Sequence, residues 1–364
     1  MTDTRDHFPT DSDAYYIPLD EPDAPDYESR SYLSVVEVSH FTGLPVREIH
    51  RRVKSGQLKA FKSASGQYRF DLAHIEALRR GTYSTTMDRS SANTFEIHKG
   101  KTRQLIVCGD SRDMSTHVDN ESVHLAITSP PYFNAKMYSD SPADLGNLHD
   151  LNAWLEEIAD VWKEVYRTLQ PGRKFFLNIM NLPVRENKTF RSLNLVGRNI
   201  DLCEKVGFAF KRDIIWHKTN GVRAHFGTYP YPGGILLNHM HEFILEFEKP
   251  KNRPGPKYSH VKAEQREASK LDKDFWLSLK NSDVWVMKPQ KSGENRGHAA
   301  PFPVELPSRL IRAYTFVGET VLDPFLGSGT TLEATAILGR DGIGYEINQE
   351  FCDLAAQNLQ GGLL

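Results

Sequence analysis

The chain has 364 residues, a formal net charge of −2, and ordinary hydrophobic and charged fractions of 39% and 25%. No apolar stretch approaches the roughly 20 residues that a bilayer-spanning helix needs, and the amino terminus lacks the apolar core of a signal peptide, so we expect a cytoplasmic protein without a membrane partner. Three cysteines far apart in sequence, Cys108, Cys203 and Cys352, suit a reducing compartment and predict no metal site.

The first eighty residues are divided by charge. Residues 1–30 hold nine acids against two arginines, and with their Pro, Asp and Ser content they are predicted as an acidic disordered tail. Residues 31–80 hold nine lysines and arginines against four acids. We expect this second segment to face a polyanion.

Two short helices are predicted in the basic segment. Ser34 and Glu37 form a capping box, which predicts a helix that reaches position 40 or 41. After a tight turn, Pro45 stands where the start of a second helix tolerates proline, and this helix is predicted to run from Val46 to about Lys54. Its apolar residues share one face, and its basic residues lie mostly on the other.

A hairpin and a third helix complete the basic segment. Strand-like runs at 58–61 and 67–70 flank a Ser-Ala-Ser-Gly turn, and Asp71 caps the third helix. The set resembles the winged helix-turn-helix modules of MerR-type regulators and phage excisionases, which implies a DNA-binding module at residues 31–82. A basic face that is only solvated is the alternative. The DNA contacts implied by the resemblance are Arg47, Arg51, Arg52 and Lys54.

The rest of the chain predicts a doubly wound α/β fold, after a Ser- and Thr-rich linker at 83–98. Across residues 99–364, strand-like runs alternate with amphipathic helices, which is typical of a mostly parallel sheet. Asp150 caps the clearest helix, in which apolar residues from Trp154 to Leu169 recur at helical spacing. We expect the tryptophans of this helix to lie in the core.

A glycine turn between two strand-like runs indicates a cofactor site. The segment 320–323 predicts a strand, Gly327-Ser-Gly329 a turn, and the residues from Thr330 a helix. The next strand ends at Glu346, whose carboxylate can accept hydrogen bonds from both hydroxyls of a ribose. Leu332 stands where a dinucleotide fingerprint needs a third glycine, and no lysine follows to make a P-loop. A cofactor with a ribose but no pyrophosphate fits better, and S-adenosyl-L-methionine is the common choice.

A second motif, Ser129-Pro130-Pro131-Tyr132, precedes the glycine loop in sequence. The two motifs resemble those of the DNA amino-methyltransferases of restriction-modification systems, and their order resembles that of the permuted β group. The resemblance spans about residues 100–360 and implies a Rossmann-like S-adenosyl-L-methionine-dependent methyltransferase fold. It implies a catalytic role for all four residues of the first run. The cofactor contacts that it implies are Asp110, Phe302, Asp323, Pro324, Phe325, Gly327, Ser328, Gly329, Thr330 and Glu346.

The catalytic run suits methylation of an exocyclic amine. Such an amine is a poor nucleophile because its lone pair is delocalised into the base. The Ser129 hydroxyl oxygen and the Pro130 carbonyl are the expected acceptors of its two N–H groups, and Tyr132 is expected to stack on a flipped base. No cysteine follows a proline, which excludes the usual nucleophile of cytosine C5 methylation. Weaker matches to the middle motifs of the family lie at Trp216-His-Lys218 and in the run that starts at His241.

The serine of the catalytic run favours cytosine N4 as the target. In this family Ser at that position goes mostly with cytosine N4, and Asp goes mostly with adenine N6. The Phe302-Pro303 segment also resembles the cytosine N4 members more closely. Adenine N6 methylation is the alternative, and a catalytically inactive DNA-binding regulator and an RNA methyltransferase are the readings from other classes.

The resemblance also implies the partners. Double-stranded DNA is the expected substrate, with a target-recognition insertion near 250–297, and a cognate restriction endonuclease is a candidate partner. Residues 249–273 hold eight lysines and arginines against three acids, which is typical of a segment that contacts phosphates. The oligomeric state is left open.

Overall fold

The computed structural model describes residues 32–42, 45–54, 58, 60–62, 68–71, 93–133, 145–148, 150–186, 189–219, 239–251, 258, 261–289 and 302–361. Within these ranges, no helix combines the length and the apolar character that a bilayer crossing requires. The described residues form a small N-terminal module and a large α/β unit.

The N-terminal module, residues 32–71, pairs two helices with a small antiparallel sheet. A strand that the sequence did not predict, β1, precedes the first helix and pairs with β3. Both predicted helices are present, whereas the helix expected after Asp71 lies outside the described residues. The elements of the module are β1 (Tyr32–Ser34), α1 (Val35–Thr42), α2 (Val46–Lys54), β2 (Phe61–Lys62) and β3 (Tyr68–Asp71). Its core is formed by Leu33, Val38, Ile49, Leu58 and Phe70.

The large unit is built from eleven strands and seven helices within the described ranges. The strands are β4 (Asn93–Lys99), β5 (Thr102–Cys108), β6 (Val123–Thr128), β7 (Leu169–Ile179), β8 (Leu182–Glu186), β9 (Thr189–Leu193), β10 (Ala209–Lys218), β11 (His241–Glu248), β12 (Val284–Met287), β13 (Thr320–Asp323) and β14 (Asp341–Glu346). The helices are α3 (Leu151–Thr168), α4 (Leu195–Val206), α5 (Ala263–Ala268), α6 (Lys273–Asn281), α7 (Glu305–Tyr314), α8 (Thr330–Ile337) and α9 (Gln349–Gly361).

One sheet dominates this unit, with the order β12-β10-β11-β7-β6-β13-β14-β5-β4 in the described part of the chain. The five neighbouring strands β7, β6, β13, β14 and β5 are parallel, so their carboxyl ends meet at one edge. Strand β11 is antiparallel to β7, and β10 is in turn antiparallel to β11. A mostly parallel α/β sheet was predicted, and this prediction is confirmed.

Helices cover both faces of the sheet because its inner strands alternate buried side chains between the two faces. Val123 and Ala126 of β6 pack into the cluster that contains α3 and α4, whereas Leu125 and Ile127 pack into the cluster beneath α7. In α3, the Asp150 carboxylate accepts a hydrogen bond from the Ala153 N–H at 2.7 Å, which is the predicted cap. The tryptophans of α3 are fully buried, as expected.

Two predicted boundaries differ from the structure. Strand β4 pairs with β5 along its whole length, so residues 93–98 belong to the sheet and the linker predicted at 83–98 is too long. The exposed Glu96 and His98 of β4 alternate with the inward-facing Phe95 and Ile97, which is a strand pattern. This pattern directly follows the Ser- and Thr-rich stretch that predicted the linker. Likewise, β12 lies inside the predicted recognition insertion but is hydrogen-bonded to β10 as part of the main sheet.

Candidate active site

The two sequence motifs meet at the carboxyl edge of the sheet. Thr128 ends β6 and Ser129 follows directly, while the glycine loop begins where β13 ends at Asp323. Because β6 and β13 are neighbouring parallel strands, motifs that lie almost 200 residues apart in sequence are placed side by side.

A buried carboxylate joins the two motifs. Asp323 accepts hydrogen bonds from the Thr128 hydroxyl at 2.7 Å, from the Thr331 hydroxyl at 2.5 Å and from the Phe325 N–H at 3.0 Å. Its side chain is 1% exposed, and burial raises the pKa of this carboxyl to about 6 although the three hydrogen bonds act to lower it. The carboxylate of Asp323 fixes the loop against β6, and its predicted contact with the cofactor stays a prediction.

Residues of β14 and α9 hold the glycine loop in place. Leu326 N–H donates to the Tyr345 carbonyl at 2.8 Å, and the Asn358 side chain of α9 donates to the Ser328 carbonyl at 2.9 Å. Gly329 has φ = +96°, and a Cβ at this position would lie 3.1 Å from Cβ and 3.2 Å from Cα of Ala355. This glycine is therefore required where the loop packs on α9.

Glu346 closes the cofactor side of the loop. Its Oε2 accepts the Gly327 N–H at 2.9 Å, and its Oε1 accepts the Asn348 N–H at 2.9 Å. The side chain of Glu346 is only half-buried, so a hydroxyl group can approach its carboxylate. This donor and acceptor set fits the ribose that the sequence predicts.

Asp110 lies beside Glu346 at the same edge. The Gly109 N–H donates to the Glu346 carbonyl at 2.9 Å, which joins the ends of β5 and β14. The side chain of Asp110 is 41% exposed and is hydrogen-bonded to Arg112, with Nε at 2.8 Å from Oδ1. Two partly exposed carboxylates thus flank the loop.

The other predicted cofactor residues are largely buried. Phe325 turns its ring edge-on to Trp162, with 6.2 Å between the ring centroids. Phe302 is 8% exposed and packs in the cluster beneath α7. The remaining members of the set are buried, namely Pro324, Gly327, Ser328, Gly329 and Thr330.

A polar network lies behind the catalytic run. The Tyr132 hydroxyl donates to Glu242 Oε2 at 3.1 Å, and Asn178 Nδ2 donates to the same oxygen at 2.6 Å. Lys218 Nζ donates to Glu242 Oε1 at 2.9 Å. Asn178 Nδ2 also lies 3.5 Å from the Ser129 hydroxyl oxygen. The carboxylate of Glu242 thereby connects the serine and tyrosine of the run to the neighbouring strands.

Strand direction explains why these side chains meet. Asn178 is near the carboxyl end of β7, Lys218 ends β10, and Glu242 is near the start of the antiparallel β11, so all three reach one edge. The carboxamide of Asn178 is 2% exposed, and its Oδ1 has no hydrogen-bond partner in the described part of the chain. Lys218 and Glu242 lie in the weak middle motifs, but their sequence context gave no role for them.

The comparisons with known proteins agree with this geometry. A family model described as DNA methylase, N6_N4_Mtase, matches residues 123–357. The chain belongs to this DNA methylase family. The match covers both motifs and the Glu242 network but not the N-terminal module.

Individual relatives match the same part of this DNA methylase. The type II methyltransferase M.MjaI of Methanocaldococcus jannaschii is 34% identical over 277 residues, which cover 68% of this chain and 88% of the relative. The type II methyltransferase M.MthZI of Methanothermobacter thermautotrophicus is 33% identical, with 70% of this chain and 76% of the relative covered. The structure of TTHA0409 from Thermus thermophilus, complexed with S-adenosyl-L-methionine, is 33% identical, covers 70% and 93% of the two chains, and has a TM-score of 0.55.

The DNA contacts expected on α2 of the methylase are engaged within the protein. Arg52 is 5% exposed, with Nε at 2.5 Å from Glu48 Oε1, and Arg51 is hydrogen-bonded to Glu48 through Nε and Nη2. Arg47 Nη1 donates to Glu157 of α3 at 3.1 Å. Arg47 thus pairs with α3, whereas Arg51 and Arg52 pair with Glu48 on α2 itself, and their contact with DNA stays a prediction. The side chain of Lys54 lies outside the described part.

Proposed function

We propose that this DNA methylase transfers a methyl group from S-adenosyl-L-methionine to the exocyclic N4 amine of a cytosine in double-stranded DNA. The observation that carries the proposal is the position of Ser129. A neutral hydroxyl heads the catalytic run, at the end of the strand beside the cofactor loop. In the family that the chain belongs to, serine at this position favours cytosine N4 over adenine N6.

The catalytic run acts by positioning the target nitrogen. The Ser129 hydroxyl oxygen and the Pro130 carbonyl accept its two N–H groups, which favours a pyramidal nitrogen with its lone pair directed at the methyl group. When bound, S-adenosyl-L-methionine supplies an electrophilic methyl group on its sulfonium. The two prolines stiffen the backbone, so the acceptors need little reorganisation in the transition state.

Tyr132 supplies the stacking surface for the flipped base. Extruding a base costs a few kcal/mol, and stacking on an aromatic ring returns about 1–3 kcal/mol. The hydrogen bond from Tyr132 to Glu242 fixes the ring before the base arrives. Glu242 itself is neutralised by Lys218, so no uncompensated charge faces the neutral cytosine.

Nucleoside mass spectrometry of duplex DNA methylated by the pure protein tests the proposal. We expect N4-methylcytosine as the product. N6-methyladenine alone would refute the base assignment, methyl groups found only in structured RNA would refute the DNA substrate, and cofactor binding without any transfer would indicate an inactive regulator. The Ser129→Ala variant should lose activity by about 100- to 1,000-fold and still bind the cofactor.

DNA binding outside the active site is proposed for the segment after β11. Lys262, Lys270 and Lys273 are exposed around α5 and α6, within the segment that is rich in basic residues. Gln265 donates to the Val317 carbonyl and Ser269 accepts from the Val317 N–H, so this segment lies just before β13, at the edge of the sheet opposite Ser129. These lysines therefore suit phosphates of DNA outside the target site, and such contacts position DNA without reading its sequence. A DNA-binding role of the N-terminal module is a further proposal. A cognate restriction endonuclease remains a proposed partner.

A further inference from the structure

A row of four alternating charges runs from the N-terminal module to the cofactor edge. Arg47 of α2 is paired with Glu157 of α3 at 3.1 Å. Glu157 is also paired with Arg112, and Arg112 holds the Asp110 carboxylate with Nε at 2.8 and 3.0 Å from its two oxygens. The row therefore connects an arginine of the module to a carboxylate at the cofactor edge of the large unit.

Burial makes the members of this row depend on one another. The side chains of Arg112 and Glu157 are 6% and 12% exposed, whereas those of Arg47 and Asp110 are 42% and 41% exposed. A buried charge is strongly destabilising unless it is paired. Two arginines and two carboxylates make the row neutral, and without Arg47 the other three carry a net charge of −1.

The N-terminal module is also held to α3 by apolar contact. Val46, one residue before Arg47, packs against the core cluster that contains α3 and α4. The groove beside this contact is lined by Pro45 from the module and by Leu148, Leu155 and Leu202 from the large unit. The first turn of α2 is therefore the part of the module that docks on the large unit.

From this geometry we infer that docking of α2 sets the affinity of the methylase for its cofactor. Arg112 fixes the rotamer of Asp110 at the cofactor edge, Glu157 fixes Arg112, and Arg47 neutralises Glu157. The three are positioning residues, because only Asp110 faces the cofactor. The inference rests on the proposed contact between Asp110 and the cofactor.

The affinity for S-adenosyl-L-methionine, measured by titration calorimetry on the full chain without DNA, tests this inference. Arg47→Ala should weaken binding by about threefold to tenfold, since it removes two half-exposed charge pairs, with Glu157 and with Asp160. Arg51→Ala is the matched control: it removes the same charge from the same helix, but its partner Glu48 lies within α2, so the affinity should stay within about twofold. Equal affinities for Arg47→Ala and wild type, or equal losses in both variants, would overturn the inference.

A double-mutant cycle tests whether the residues act through one another. Because Arg47 and Glu157 act in sequence, Arg47→Ala combined with Glu157→Gln should weaken binding no more than the stronger single variant. If the fold-losses in affinity multiply in the double variant, the two residues act independently, which would contradict the coupling proposed for the row. Arg112→Lys keeps the buried charge and should retain folding, but it should bind the cofactor more weakly because an ammonium cannot hold both oxygens of Asp110 in a fixed orientation.

Kinetics separate this inference from the proposed function. Arg47→Ala should have an unchanged kcat at saturating cofactor, and its KM for S-adenosyl-L-methionine should be raised. A lowered kcat with an unchanged KM would instead place Arg47 in DNA binding or catalysis and refute the inference. Failure of the base assignment would appear in the methylated product and would leave the binding titrations unaffected.

Discussion

Tyr132 and Ser129 share a support that no local sequence pattern reveals. Glu242 accepts hydrogen bonds from Tyr132 and Asn178, and its charge is balanced by Lys218. The sequence predicted the catalytic run because its four residues are contiguous. It could not predict this network, whose members come from three strands and meet only through the strand order of the sheet.

Replacing Glu242 tests this support. Glu242→Gln keeps the shape but removes the charge, so we expect kcat to fall by about 10- to 100-fold while cofactor affinity stays unchanged. The variant also leaves Lys218 buried without a counter-charge, which lowers stability. The double variant Lys218→Met, Glu242→Gln should recover the melting temperature but not kcat, and Glu248→Gln on the same strand is the control. A full kcat in Glu242→Gln would remove the network from catalysis.

The raised pKa of Asp323 predicts a pH dependence of stability. The folded chain holds this proton up to about pH 6, whereas an unfolded aspartate releases it near pH 4, so the free energy of unfolding falls as pH rises between these values. Two pKa units correspond to about 3 kcal/mol. Asp323→Asn lacks this titration, so its stability relative to wild type should rise by about that amount between pH 4 and pH 7 in urea unfolding.

Asp272 provides the opposite control. The Phe275 N–H and Arg312 lower the pKa of this exposed carboxyl, so its contribution is present at neutral pH and is lost as pH falls. Asp272→Asn should therefore be less stable than wild type at neutral pH, and the difference should close in acid. A difference between Asp323→Asn and wild type that does not change with pH would show that Asp323 is not buried as a carboxylic acid.

At the scale of single elements, the glycine loop is a packing device as much as a ligand site. The sequence predicted the strand, turn and helix around Gly327 and Gly329, and the structure confirms these elements. It assigned the glycines to the approach of a ligand, whereas Gly329 approaches Ala355 of α9. Packing against a helix that follows 20 residues later could not be derived from the motif.

Gly329→Ala measures the strength of this packing. Positive φ and the short contacts to Ala355 should together lower stability by about 2–3 kcal/mol and weaken cofactor binding, because the loop must move. Gly100→Ala is the matched control: Gly100 also has positive φ, but a Cβ there meets nothing within 4 Å, so about 1 kcal/mol is expected with no change in cofactor affinity. Equal losses of stability in the two variants would show that Ala355 does not constrain the loop.

The sequence pattern of α2 predicts the bounds of the helix but not the partners of its side chains. Its bounds, Val46–Lys54, agree with the prediction, because proline and helical spacing are local signals. The same pattern predicted a basic face open to DNA, since amphipathicity separates polar from apolar residues but does not identify their partners. Glu157, the partner of Arg47, is 110 residues away.

In the molecule as a whole, the order of the strands along the chain differs from their order in the sheet. The sequence predicted the α/β class from alternating strands and helices. The edge of the sheet beyond β7 was not predictable in the same way, because β11 pairs with β7 and β12 pairs with β10, in both cases across more than 50 residues of chain. Packing of α9 against β5 brings Cys352 beside Cys108, although the two are far apart in sequence, and the interaction with Cys352 lowers the pKa of the Cys108 thiol.

The charge distribution of the folded protein predicts how DNA binding responds to salt. We expect the exposed lysines of the segment around α5 and α6 to supply contacts to phosphates. Replacing Lys262, Lys270 and Lys273 by glutamine should reduce the slope of log affinity against log salt by roughly 1 per lost contact. Fluorescence anisotropy with a duplex at several salt concentrations measures this slope.

The matched control separates specific contacts from net charge. Lys205 is exposed on α4, and its replacement by glutamine removes one charge outside the basic segment, as the single variant Lys262→Gln does within it. We expect Lys205→Gln to keep the wild-type slope, because a lysine that contacts no phosphate releases no counterion. A triple variant with an unchanged slope would exclude this segment from the DNA interface. Since phosphate contacts carry no sequence information, the triple variant should still methylate the same base as wild type.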